Sequence, residues 1–167
     1  APAGLNRGGL QAAGTSTTLT QQNRDDLYNV RINPIANFPN DGVCIWGQKT
    51  LQDLAAGPNN ALTRVNVRRM LITVKKFITS VSRFIVFDQN NSVTRERFIS
   101  IVNPYLQQVK AQQGLNAFTV IMDNVDVPTE FIGENVLYGK LALQPTRTAE
   151  FIVLDFSIEP TGATFPE

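Results

Sequence analysis

The order of apolar and polar positions divides the chain into a polar start, two helical stretches and a β-rich end. Residues 4–18 are rich in Gly, Ala, Ser and Thr with little apolar periodicity, which predicts an exposed lead-in or linker. Thr20 stands where it can cap a short polar helix over Gln21–Asn29, with Leu27 and Tyr28 as its apolar anchors. The strand-like run 30–35 is interrupted by Asn33-Pro34, because proline lacks a backbone donor and restricts the residue before it. A turn over 37–42 leads into a short buried strand over 43–46, and Gly57-Pro58 marks a loop over 55–60.

Helical periodicity follows. Val67, Met70, Leu71, Val74, Phe77, Ile78 and Val81 recur at three- and four-residue spacing, with Asn66 in the N-cap position. The opposite face carries Arg68, Lys75 and Lys76. The apolar run 84–87 reads as a short strand. Asn91 or Ser92 caps a second helix whose core face is Phe98, Ile101, Val102, Tyr105, Leu106 and Val109; Pro104 inside it predicts a kink near 100–103, and Gly114 ends it.

Beyond Gly114 the period changes to two. Residues 118–122 form a short strand, and 128–135 form a loop or a single helical turn. Leu137, Leu141 and Leu143 alternate with Tyr138, Lys140 and Gln144 in a half-buried strand weakened by Gly139. After a turn over 145–148, Ile152, Leu154, Phe156 and Ile158 share one face of a final strand while Phe151 and Val153 begin the other; Pro160 stops it. A strand apolar on both faces needs cover from elsewhere. The fold class is α+β: a small mixed sheet packed by two main helices, without internal repeats.

Composition narrows the function. At 167 residues the chain fits one domain with a real core, and its 17% charged residues fall short of the roughly 25% of an average soluble domain. Such a surface suits a protein that buries much of itself against neighbours. The net charge of +1 gives no global field for nucleic acid. No apolar run is long enough to cross a bilayer and nothing at Ala1 onward resembles a signal peptide, so no direct membrane insertion is expected.

Catalytic chemistry finds few residues to work with. The chain has no His, which excludes His-based triads and proton shuttles, and its one cysteine, Cys44, sits beside Ile45 and Trp46 as a small core residue. Asp123, Asp126 and Glu130 lack the alternating spacing of a calcium loop and read as a solvated loop. Adjacent Asp25 and Asp26 point in different directions along a helix, and Gly8-Gly9 is not followed by the Lys-Ser/Thr of a phosphate loop. No metal or other cofactor is expected. Arg68-Arg69, Lys75-Lys76, Arg95 and Arg97 lack interleaved stacking aromatics; a solvated helix face, or docking to an acidic protein surface, explains them without direct nucleic acid binding.

Taken together, particular stretches resemble a known family. Ala1-Pro2-Ala3-Gly4-Leu5-Asn6-Arg7-Gly8 is similar to the PAG-x-N-RG stretch of contractile tail sheath proteins. Ile32-Asn33-Pro34-Ile35 and then Gly42-Val43-Cys44-Ile45-Trp46-Gly47-Gln48-Lys49-Thr50-Leu51 resemble its INPI and GxxxWG-x-[KR]-TL blocks. Val65-Asn66-Val67-Arg68-Arg69-Met70-Leu71 matches its VNVRRL helix start, and Val86-Phe87-Asp88-Gln89-Asn90 its VFEPN turn. Ala117-Phe118 to Asp123 is similar to AFxVxxD, and Ala149-Glu150-Phe151-Ile152-Val153 to the PAEFIV ending. The blocks keep the family's order and cover nearly the whole chain. Thr148 and Gln89 replace prolines common in the family, both at turns.

The resemblance implies a larger parent with an N-terminal arm and outer domains, of which residues 1–18 are a lead-in and 19–167 the C-terminal domain. It implies a non-enzymatic structural subunit that polymerises helically with copies of itself around a tail tube protein, alongside baseplate and tail terminator proteins, and contracts. Such a subunit is a virion component made in the cytoplasm of a bacterial host. Terminal arms of neighbouring subunits are expected to complete the small sheet, with Phe151, Ile152, Val153, Leu154, Phe156 and Ile158 as the exchanged strand or the receiving edge, and Arg68, Lys75 and Lys76 facing the tube. An ordinary internal strand is the plain alternative for 151–158. A small non-catalytic ligand- or carbohydrate-binding module is the other function class, and would need a concave pocket with convergent polar groups; a nucleic-acid binder is the third.

Overall fold

The computed structural model describes residues 1–52, 61–122, 136–150 and 152. In chain order these form α1 (Gln21–Asn29), β1 (Ile35–Phe38), β2 (Gly42–Ile45), a 3₁₀ turn (Ala61–Thr63), α2 (Val65–Arg83), α3 (Ser92–Ala111), β3 (Leu115–Ile121) and β4 (Lys140–Pro145). The fold is the expected α+β. The described strands do not form one mixed sheet, however, but two antiparallel pairs, β1–β2 and β3–β4. The loop expected over 55–60, the acidic loop with Asp123, Asp126 and Glu130, and all of the strand expected over 151–158 except Ile152 lie outside the described residues.

The helices begin where side chains take up free backbone donors. Thr20 accepts the Asn23 N–H at 3.3 Å to start α1, and Asn91 accepts the Thr94 N–H at 3.0 Å to start α3. The start of α2 departs from expectation. Its N-cap is Arg64, which makes no side-chain cap; Asn66 sits in the first turn with its Oδ1 buried and unpartnered. The Arg64 side chain is engaged elsewhere, as described below.

The end of α3 also differs from the expected glycine stop. Gln113, at φ 61°, takes the left-handed position, with its N–H bonded to the Lys110 carbonyl and the Gly114 N–H to the Val109 carbonyl. Gly114 is required for space: a β-carbon there would meet Val109 Cγ1 at 3.0 Å and Met70 Sδ at 3.3 Å. Pro104 lies inside α3, which stays in one piece from Ser92 to Ala111; its exposed position leaves the unpaired Ser100 carbonyl within reach of water.

One face of each long helix and one face of β3–β4 make the core. Val74, Val81, Ile85, Phe98, Val102, Leu106 and Leu115 are buried together, with Phe77 stacked on Tyr105 at 3.8 Å between ring centres. Phe118 pairs with Leu143 and Val120 with Leu141 across the strands, and all four pack on that cluster. Ile101, expected in the core, is instead 41% exposed. None of the described helices is long and apolar enough to cross a membrane.

Residues 84–87 are not a strand. Hydrogen bonds three residues apart (Phe84 N–H to Val81, Ile85 N–H to Ser82, Asp88 N–H to Ile85) wind them into a turn between α2 and α3. Strand alternation would place residues 85 and 87 on one face, whereas Ile85 is buried and Phe87, at φ 75°, is 99% exposed. The chain has to pass from α2 into α3 here, and a single apolar tooth, Ile85, suffices to hold the turn on the core.

Leu106 is fully buried at the centre of this cluster. Leu106→Ala removes that packing and should cost about 2–5 kcal/mol of stability, read as a lower midpoint in urea at unchanged slope.

Candidate assembly interface

The first ten residues are not a free lead-in. Gly4 N–H bonds to the Ile45 carbonyl at 2.9 Å, Ile45 N–H to Gly8 at 2.8 Å, and Leu10 N–H to Val43 at 2.8 Å, so this stretch lies antiparallel along β2. The approach is backbone on backbone. A β-carbon at Gly8 would come within 2.9 Å of Ile45 O, Ala3 Cα and Gly4 O, which explains the glycine of the PAG-x-N-RG stretch.

With one side of β2 occupied by residues 4–10, its other side pairs with β1 through Ala36–Cys44 and Phe38–Gly42. By alternation, the backbone groups of Ile35 and Asn37 point away from β2, and they have no hydrogen-bond partner among the described residues. Ile35 is 48% exposed. Among the described residues, β1 is therefore an open edge. Cys44 is buried at the centre of this small sheet; burial, with Asp41 nearby, raises its thiol pKa and leaves it inert.

Behind β2 the INPI and WG-x-K-TL blocks lock together. The Asn33 side chain accepts the Lys49 N–H at 2.7 Å and donates to its carbonyl at 2.9 Å, acting as one rung of a strand pair. The Lys49 ammonium lies 3.8 Å over the Tyr28 ring and donates to the Tyr28 carbonyl at 2.6 Å. Burial, with Arg64 and Arg31 close by and Glu150 opposing them, lowers the Lys49 pKa.

These contacts converge on Glu150. Arg64 grips its carboxylate in two places, Nε to Oε1 at 2.6 Å and Nη2 to Oε2 at 2.8 Å. Gln48, 5% exposed, donates to the same Oε1 at 3.2 Å and to Thr148. The Tyr28 phenol lines the same pocket as Glu150, and burial, with that carboxylate close by, pushes its pKa well above 10.0. Nothing in the sequence pattern assigns Tyr28, Gln48 and Arg64 to a shared site, although Gln48 lies within a family block and Arg64 beside one.

Arg68, Lys75 and Lys76 are exposed on α2, away from the core, and a shallow groove beside Lys75 and Lys76 also includes Arg83, which the sequence reading missed. Ile152 is 80% exposed two residues beyond the part-buried carboxylate of Glu150. At the far end of the helices, Phe84, Val86 and Phe87 are 78%, 57% and 99% exposed. The groove beside them is lined by Ile78, Ile85, Phe98, Met122 and Leu141 together with polar Ser82, Asp88, Gln89, Asn90 and Thr94.

A raised phenol pKa carries a definite pH dependence. The neutral Tyr28 contributes in full below its ordinary value of 10.0 and loses that contribution as pH climbs above it, because only the unfolded phenol ionises there. The melting-temperature advantage of the native protein over Tyr28→Phe should thus be constant below pH 10.0 and shrink above it. An advantage independent of pH would show that the phenol is not held this way.

Comparison with known proteins agrees with this arrangement. The family described as phage tail sheath C-terminal domain matches residues 58–159. The tail sheath proteins of Enterobacteria phage T4 and Vibrio phage KVP40 are 34% and 32% identical over 99% of the chain, which spans 25% and 24% of their respective lengths. Among solved structures, the contracted sheath complex of the extracellular contractile injection system PVC superposes with a TM-score of 0.80 at 30% identity, covering 94% of this chain and 45% of that one. The anti-feeding prophage baseplate structure matches at TM-score 0.80 and 23% identity, a likeness of fold. The chain belongs to the phage tail sheath C-terminal domain family.

Proposed function

We propose that this chain is the assembly domain of a contractile tail sheath subunit: a structural part that polymerises helically with its own copies around an inner tube and contracts, with no catalytic role. The observation that carries this reading is the likeness to a contracted sheath along nearly the whole chain. It applies to a longer protein, since the curated relatives extend well beyond the matched region, and it makes the protein a component of a phage tail, synthesised in the host cytoplasm. Baseplate, tube and tail terminator proteins are its partners there.

Subunits are linked in this reading by shared strands. Support comes from the open edge at Ile35 and Asn37, from the exposure of Ile152, and from the apolar pattern of Phe151, Val153, Leu154, Phe156 and Ile158. A strand added at such an edge satisfies backbone groups in both chains. Each hydrogen bond contributes only about 0.5–1.5 kcal/mol net. Several of them, with burial of the apolar side chains, hold subunits together while they pivot. Arg68, Lys75 and Lys76 present the positive face of α2 to the tube.

Two experiments test this. The full-length protein lacking residues 151–167 should remain folded and soluble but form no tubes by electron microscopy; sheaths of normal appearance would refute the strand exchange. Reversing Arg68, Lys75 and Lys76 to Glu should leave sheath polymers intact but abolish co-assembly with the tube at low salt. Unchanged co-assembly would remove these residues from the tube contact.

A further inference from the structure

We propose that Glu150 is a positioning residue: its carboxylate, clamped by Arg64 and Gln48, roots the segment after it on α2 and fixes the direction in which that segment leaves the domain. The inference rests on the reading of residues 151–158 as the strand shared between subunits.

Geometry separates this carboxylate from an ordinary surface ion pair. The Glu150 side chain is 14% exposed and that of Arg64 33%, and the fork of the guanidinium meets both carboxylate oxygens. Its contacts reach across the chain, 86 residues to Arg64 and 102 to Gln48. By contrast, the Asp88–Arg97 pair is single, 3.4 Å long and exposed on both sides.

Direction follows from the attachment points. Arg64 is the residue from which α2 starts, and Val67, Val74 and Val81 fix α2 in the core. The backbone pairing of Lys49 with Arg64, and the Val65 N–H bonded to the Gln48 carbonyl at 2.8 Å, bring the stretch just after β2 to the same place. A pull on the chain beyond Glu150 thus meets a rigid helix and a sheet. Two residues later, at Ile152, the chain is out in solvent. An arm that has to find one particular neighbour gains from a fixed point of departure, because less orientational freedom is lost when it docks.

The test uses the full-length protein with Glu150→Ala. Hydrogen exchange at residues 148–152 should accelerate at least about tenfold while α2 and α3 exchange as before, and tube formation should fall by a similar factor. The charge swap Arg64→Glu with Glu150→Arg should restore both, which a general loss of stability would not allow. If Glu150→Ala does not fold, Glu150→Gln keeps the shape, removes the charge and gives the same readouts. Unchanged exchange at 148–152 overturns the clamp. Accelerated exchange with normal tubes overturns the positioning role yet leaves strand sharing intact. Strand sharing itself fails separately, if the protein lacking residues 151–167 still forms sheaths.

Discussion

The carboxylate of Glu150 is the point at which otherwise separate parts of this domain meet. The apolar core is confined to α2, α3 and β3–β4, while the hairpin β1–β2 has a small buried group of its own in Ala36, Val43 and Cys44. Polar contacts join them: the Lys49–Arg64 pairing, the Asn33 rung on Lys49, and the grip of Arg64 and Gln48 on Glu150. Removing one partner from a buried ion pair costs roughly 3–5 kcal/mol, mostly because the other charge is left stranded. Partial exposure of Arg64 lowers that figure here, but the loss would fall where the modules join.

A polar joint suits a subunit that must keep its neighbours while it moves. Apolar packing tolerates small shifts of angle, whereas a bidentate guanidinium–carboxylate pair specifies one geometry. In the reading proposed above, the grip on Glu150 is the defined end of the linkage. The open edge at Ile35 and Asn37 and the bare apolar turn at Phe84, Val86 and Phe87 are surfaces that a solitary protein would be expected to cover. A low content of charged side chains makes the same point at the level of composition.

The family blocks, read as strings, become physical constraints once folded. The second glycine of PAG-x-N-RG is the contact between residues 4–10 and β2; the asparagine of INPI is a surrogate strand for Lys49; the glutamate of the final block is the clamp. Thr148 stands where proline is common and accepts a hydrogen bond from Gln48, a use that proline could not offer.

Local signals settled much of the fold from the sequence alone. Thr20 and Asn91 capped the helices they were expected to cap, and the apolar spacing of α2 and α3 identified Val74, Val81, Phe98, Val102 and Leu106 as core, because caps and helical periodicity act over a few residues. Family membership was legible for the same reason, being carried by short contiguous blocks. What depends on distant partners was not. Residues 84–87 became a turn because the chain has to pass from α2 into α3 there, residues 4–10 docked because β2 had a free side, and α2 took Arg64 as its N-cap while the Asn66 side-chain oxygen went without a partner among the described residues. The Glu150 site was invisible to any window along the chain: its members lie up to 102 residues apart, and the pairing of residues 48–49, just past β2, with the start of α2 brings them within hydrogen-bonding distance.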